Sequence, residues 1–170
     1  MKETPQAYIQ RILANVKGRD PLKVQASTAK KLERLVHGQT TSRLRKRPGP
    51  GKWLVAEILA HLADVEIATG WRIRQVLASH GTPLQAFDQD AWAASGYYSR
   101  RDPYSSIEQF RVLREGNLAL LKSLMPAQWK RYGVHAERGK QTILQFVRLA
   151  AGHDLNHIAQ IEKILAPEKS

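Results

Sequence analysis

Apolar residues recur at intervals of three and four along most of the chain, and little of it alternates with period two, so the pattern predicts an all-α protein. A first, short helix is expected over Tyr8–Val16, with Ile9, Ile12, Leu13 and Val16 on one face and Gly18 and Asp20-Pro21 closing it. A second is expected over Ser27–Val36, with Ser27 or Thr28 as cap and Leu32, Leu35 and Val36 as its buried stripe. After the turn PGPGK, a long helix from about Trp53 to Ser79 carries Leu54, Ile58, His61, Val65 and Ala68 in line. A third long segment, Ser105–Leu124, presents Ile107, Phe110, Leu113 and Leu121, with Pro126 just beyond it. The last, Thr142–Leu165, aligns Phe146, Ala150, His153, His157, Ile161 and Ile164 and is stopped by Pro167. These segments make one domain over residues 1–170, a four-helix bundle preceded by a short N-terminal helix.

About two dozen residues separate the second and third bundle helices, and connections beyond about 12–15 residues are uncommon unless functional. The helix over residues 53–79 is about 40 Å long at ~1.5 Å per residue. An extended linker of this size recrosses that length easily. The second and third helices are therefore expected to run parallel. The linker, FDQDAWAASGYYSRRDP, mixes acids, aromatics and glycine and suits a lid over one end of the bundle.

Composition adds a strong charge. Lys and Arg number 27 against 15 Asp and Glu, a net charge of +12 and a pI near 10.2. Such a field attracts polyanions or acidic small molecules. The densest run, RLRKR at 43–47, leads into a loop, and no helix–turn–helix, zinc-knuckle or RNA-reading motif accompanies it. A solvated basic surface is thus preferred to a nucleic-acid groove. Cysteine is absent, which excludes disulfides, thiolate ligands and a Cys nucleophile. No apolar run approaches the ~18–20 residues of a membrane span. The start, MKETPQAYIQ, lacks an apolar signal-peptide core, so a cytoplasmic location is expected.

The chemistry lies in the histidines. His153 and His157, in GHDLNHIAQI, are four residues apart and project from one face of their helix, the face that the apolar line turns inward. Two adjacent buried imidazoles cannot satisfy their ring nitrogens by packing alone, whereas a metal ion uses them as ligands. His61, in EILAHLADVE, lies on the inner line of another helix. Taken singly it reads as a satisfied core histidine. Taken together, the three give nitrogen donors converging in the bundle and leave positions open for water or substrate, the pattern of a catalytic metal site. Three imidazoles suit zinc, nickel or iron. HDLNH is a poor match to the zincin motif HExxH, because Asp154 replaces the general-base Glu and only 13 residues follow His157.

On PGKWLVAEILAHLADVE, WRIRQVL, FDQDAW and AGHDLNHIAQIEKIL, the chain resembles the DinB-like (DinB/YfiT) superfamily of four-helix-bundle metalloproteins. One His on the second bundle helix and an HxxxH on the fourth are similar to that family's metal triad, at His61, His153 and His157. The resemblance implies an up-down-down-up bundle with a long crossover between helices two and three. It also implies a homodimer. For activity it implies, in some members, transfer of a low-molecular-weight thiol to an electrophile, with the thiol as co-substrate.

Three functions therefore stand side by side. The first is a metal-dependent enzyme acting on a small, acidic substrate, either by activating a thiol or by hydrolysis. The second is a metal-stabilised, non-catalytic bundle that binds an anionic partner, and the third a scaffold or dimerisation unit with vestigial histidines. Around the triad, Glu57 and Asp64 lie one turn either side of His61 and are candidates to orient a ligand ring or hold a water. Asp154 and Asn156 project away from the ligand face and are read as solvated or capping. Arg72 continues the His61 line, while Arg114 and Asn117 interrupt the third helix's stripe. All three can face a pocket, with a snorkelling arginine as the alternative. Asp88, Trp92, Tyr98 and His135 fall in predicted loops and are candidates to line an entrance.

Overall fold

The computed structural model describes residues 3–167. Polar caps and prolines decide where its helices begin. Thr4 caps α1 (Pro5–Asn15), Asp20 caps α2 (Pro21–Val36), and Asp102 caps α6 (Pro103–Lys122), each with proline at the first helical position. Proline is favoured there because the N–H it lacks has no partner in the helix anyway. Asp20-Pro21 therefore opens the second helix rather than closing the first, and α2 starts six residues before the expected Ser27. The Ser27 and Thr28 hydroxyls bond back to the Val24 carbonyl instead of capping. A short helix, α3 (Thr41–Leu44), precedes the PGPGK turn. The long α4 (Val55–Ala78) follows it, and α7 (Ile143–Leu165) begins at a capping box between Thr142 and Gln145.

Cross-helix pairs fix the topology. Arg114 and Asn117 of α6 reach Glu66 of α4, and Asn117 also lies against Gly70, so numbers rise together and α4 and α6 are parallel. Gln25 and Thr28 of α2 meet Val147 and Asp154 of α7, again in parallel. Tyr104 reaches back to Val36 while Arg114 reaches Gln25, so α2 and α6 are antiparallel. The bundle of α2, α4, α6 and α7 is up-down-down-up. The segment from α4 to α6 recrosses its length and carries β1 (Pro83–Leu84) and the short helix α5 (Gln89–Ser95) on the way.

One feature departs from the all-helical expectation. β2 (Tyr132–His135) and β3 (Gly139–Thr142) form an antiparallel hairpin, and β1 adds to β2 in parallel, giving a three-stranded sheet at one end of the bundle. Strands this short carry too few side chains to show alternation, and a hairpin alone is marginal without further packing. No helix among the described residues is long and apolar enough to cross a membrane.

The core is divided. At one end Leu32, Val36, Ile58, Leu59, Phe110 and Ile161 pack together; at the other, Ile73, Val76, Leu121, Ile143 and Val147 do. Between these apolar clusters lies a polar layer that contains the three histidines. Helix α1 lies along α7 over this layer, so closely that a Cβ on Gly152 would stand 2.1 Å from the Ile12 carbonyl oxygen. Asn15 also bonds the Gly152 carbonyl at 3.3 Å and Arg11 bonds Asn156 at 3.0 Å.

Helix propensity alone makes Gly152→Ala stabilising by about 1 kcal/mol. The close approach reverses the sign: the variant is expected to melt at lower temperature than wild type, with faster amide exchange over residues 5–15. Unchanged exchange in α1 would contradict this packing.

Candidate metal centre

His61 leaves the inner face of α4 and is buried, while His153 and His157 leave α7 toward it and are half-buried. Nε2 of His153 lies 3.1 Å from Nε2 of His61 and 3.1 Å from Nε2 of His157, and donor atoms of the three lie within 4.8 Å of one another. A single proton on His153 Nε2 can serve only one of its two contacts. Nδ1 of His61 and of His153 is buried without a partner among the described residues, whereas Nδ1 of His157 faces Gln160 Oε1 at 2.9 Å. Burial pushes the His61 imidazole down to about 3 and that of His157 to about 4, and holds His153 well below its ordinary value, with the neighbouring imidazoles adding to the fall at His61 and His153. At neutral pH all three rings are uncharged and present lone pairs.

These residues fit a divalent cation. Hydrogen bonds cannot satisfy three neutral nitrogens aimed at one point, and a metal ion can. With metal–nitrogen bonds of about 2.0–2.1 Å, tetrahedrally arranged donors stand about 3.3–3.4 Å apart, close to the separation here. Two aromatic rings hold His61 in place: Trp53 meets it edge-on at 5.1 Å and Phe87 stacks on it at 6.3 Å. Neither was singled out in the sequence. Phe87 is in the crossover, and its position against α4 follows only from the path of that segment.

The carboxylates expected beside the histidines are engaged elsewhere. Glu57 accepts the Leu54 backbone N–H at 3.0 Å and pairs with Arg47 at 3.0 Å, so it serves the N-terminus of α4 rather than His61. Asp64 accepts from the Tyr98 hydroxyl and from Arg101, each at 2.9 Å. Tyr98 is accordingly buried and not an entrance residue, and burial followed by Asp64 holds its phenol above the ordinary range, which keeps it a donor. Asp88 caps α5, Trp92 packs edge-on against Phe87, and the buried His135 accepts the Glu137 N–H at 3.2 Å. None of these loop candidates lines the cavity described below.

Arg114 is neither at a pocket nor snorkelling. Its guanidinium is buried, bidentate on Asp154 at 2.6 and 3.0 Å, 2.8 Å from Glu66 and 3.1 Å from the Gln25 carbonyl. Thr28 donates to Asp154 at 2.9 Å and Asn117 to Glu66 at 3.1 Å, so one network joins α2, α4, α6 and α7. Burial opposes the charge on Arg114, but Asp154 and then Glu66 outweigh it, and the guanidinium titrates above its ordinary value. The reading of Asp154 as solvated is thus overturned: its partners lie 40 and 126 residues away in sequence.

A cavity of about 340 Å³ opens onto the centre, walled by His61, Val65, Thr69 and Arg72 of α4 and by Phe146, Leu149, Ala150 and His153 of α7. Glu3, Tyr8 and Ile12 from the N-terminal side, Phe87, and Glu137 and Arg138 of the β2–β3 turn also line it.

With this geometry in place, three comparisons bear on the chain. The profile of the DinB superfamily matches residues 26–161. A Bacillus subtilis (strain 168) protein named "Putative metal-dependent hydrolase YfiT" is 27% identical over 135 residues, covering 79% of this chain and 76% of that one. An Oceanobacillus iheyensis protein of the same description, OB0413, is 24% identical over 136 residues, covering 80% and 78%. The solved structure of B. subtilis YfiT, reported as a probable metal-dependent hydrolase with an unusual four-helix bundle topology, superposes with a TM-score of 0.79 at 26% identity, covering 85% of this chain and 83% of that one.

Removing one member of a buried ion network leaves the others charged and unpaired, at a cost of about 3–5 kcal/mol. Arg114→Met is expected to lose that much in urea unfolding, while Arg111→Met, which breaks exposed pairs on the same helix, changes stability little. Equal effects of the two would contradict the role given to Arg114.

Proposed function

The chain belongs to the DinB superfamily, and from that premise we propose that it is a metal-dependent hydrolase whose divalent ion is held by Nε2 of His61, His153 and His157. The observation that carries this reading is the meeting of three neutral imidazole nitrogens beside a half-enclosed cavity that His61 and His153 line. The names of the relatives support hydrolysis. They lend nothing to thiol transfer, so hydrolysis is the reading adopted.

When bound, such an ion supplies Lewis-acid polarisation of a substrate oxygen and a lowered pKa for a water. The rest is done by the chain. Burial keeps the rings unprotonated, so their lone pairs are available without prior loss of a proton. Gln160 accepts from Nδ1 of His157, which fixes the tautomer that leaves Nε2 bare. Trp53 and Phe87 flank the His61 ring and limit its movement. Hydrolysis adds one water across the scissile bond, the hydroxyl going to the electrophilic centre and the proton to the leaving group. Asp64, Glu57, Glu66 and Asp154 are all committed to other partners, so none acts as the carboxylate base of a zincin.

Metal analysis of untagged protein tests the assignment. Wild type is expected to hold one divalent ion per chain, and His61→Ala and His153→Ala each to weaken binding by more than about 100-fold. Hydrolysis of activated esters should stop on chelation and return with added metal. Stoichiometric metal in both variants would contradict the triad, and hydrolysis indifferent to chelator would contradict the mechanism.

A further inference from the structure

The cavity has a second end. Along α4 its wall residues His61, Val65, Thr69 and Arg72 follow steps of four, four and three, a single stripe that rises about 16 Å from first to last. The histidines occupy one end of this trough, and Val65, Phe146 and Leu149 make its middle apolar. At the far end Arg72 is joined by Arg138, brought over from the β2–β3 turn.

We propose that Arg72 and Arg138 form an oxyanion subsite, which holds the carboxylate or phosphate head of a substrate whose apolar body runs along the trough and whose scissile bond lies at the histidines. The location of the scissile bond rests on the hydrolase reading; the anion site does not.

Both guanidiniums lack what such groups ordinarily find. Nε of Arg138 is buried without a hydrogen-bond partner, and Arg138 forms no ion pair among the described residues, only a contact with the Tyr8 ring at 5.9 Å. Among the described residues Arg72 makes one bond, to the Gln85 carbonyl at 2.6 Å, and no ion pair. Burial lowers the Arg72 pKa, and the neighbouring charge that lowers it further is Arg138. Two carboxylates share the cavity wall. Glu3 has both oxygens on Arg11, at 2.9 Å each, which leaves Glu137 as the opposing charge. His135, beside the turn, registers the balance: burial, then Arg138, then Arg72 hold it below its ordinary value, against a smaller upward pull from Glu137. Two like charges kept together in a half-enclosed site are relieved by an anion, and paired guanidiniums match the planar oxygens of carboxylate and phosphate.

The test uses metal-free protein, so that it reads the subsite apart from any reaction. Calorimetric titration with hexanoate, with its neutral isostere hexanamide and with inorganic phosphate is made on wild type, Arg72→Gln, Arg138→Gln and, as an equal charge change at an exposed position of α2, Lys23→Gln. Wild type and Lys23→Gln are expected to bind hexanoate in preference to hexanamide, and each arginine variant to bind it about tenfold or more weakly. Phosphate should bind wild type and compete with hexanoate. Arg138 lies on a turn, so its variant keeps the test valid if Arg72→Gln fails to fold. Hexanamide binding equal to hexanoate, or hexanoate binding unaffected by Arg138→Gln, would overturn the subsite. Metal-loaded protein that hydrolyses neutral and anionic esters alike would also overturn it while leaving the hydrolase reading in place. Arginine-dependent hexanoate binding without any ester hydrolysis would support the subsite and count against the hydrolase reading alone.

Discussion

A single guanidinium sets the geometry on which the rest depends. Arg114 enters the middle of the bundle from α6 and is held by Asp154 of α7 and Glu66 of α4, with the Gln25 carbonyl of α2 closing the ring. Directional hydrogen bonds fix what apolar packing leaves free, the rotation of each helix about its own axis. Residues on a helix advance by about 100° each, so pinning Asp154 toward Arg114 also fixes the direction of His153 and His157. Those two rings then face α4, where Glu66, bound to the same arginine, fixes the direction of His61. The histidines converge because the network beside them leaves the two helices no other register.

That arrangement explains why the core is divided. Apolar clusters close both ends of the bundle, while the layer between them carries charges and imidazoles that burial alone would penalise. Pairing of both terminal nitrogens of Arg114 with Glu66, Asp154 and the Gln25 carbonyl, with Thr28 and Asn117 bound to the same carboxylates, makes the layer tolerable on one side. The other side keeps its three imidazoles unprotonated and only partly satisfied. Helix α1 and the start of the crossover then cover this side, and the space left beneath them is the cavity.

The sequence made some of this legible and hid the rest. The long helices, the crossover and the inward placement of His61, His153 and His157 follow from periodicity and linker length, because an amphipathic stripe of more than twenty residues leaves little choice of face. The start of α2 was misread because proline signals both an end and a beginning, and only the Asp20 side-chain bonds to Leu22 and Lys23 decide between them. The three strands were too short to show a period. Asp154 reads as a surface charge and Glu66 draws no notice in sequence, because a buried charge makes sense only beside its partner, and these partners are distant in sequence. Arg114 and Asn117, both breaking an apolar stripe, were the available signal. Phe87 and Arg138 reach the cavity through the crossover and the hairpin turn, segments whose course no local pattern foretells.

The most direct test of the metal centre is a crystal structure of metal-loaded protein with diffraction data collected on either side of the metal's absorption edge. A single anomalous peak per chain, within about 2.0–2.3 Å of Nε2 of His61, His153 and His157 and facing the cavity, is the predicted result. A peak elsewhere with the three imidazoles unliganded would contradict it.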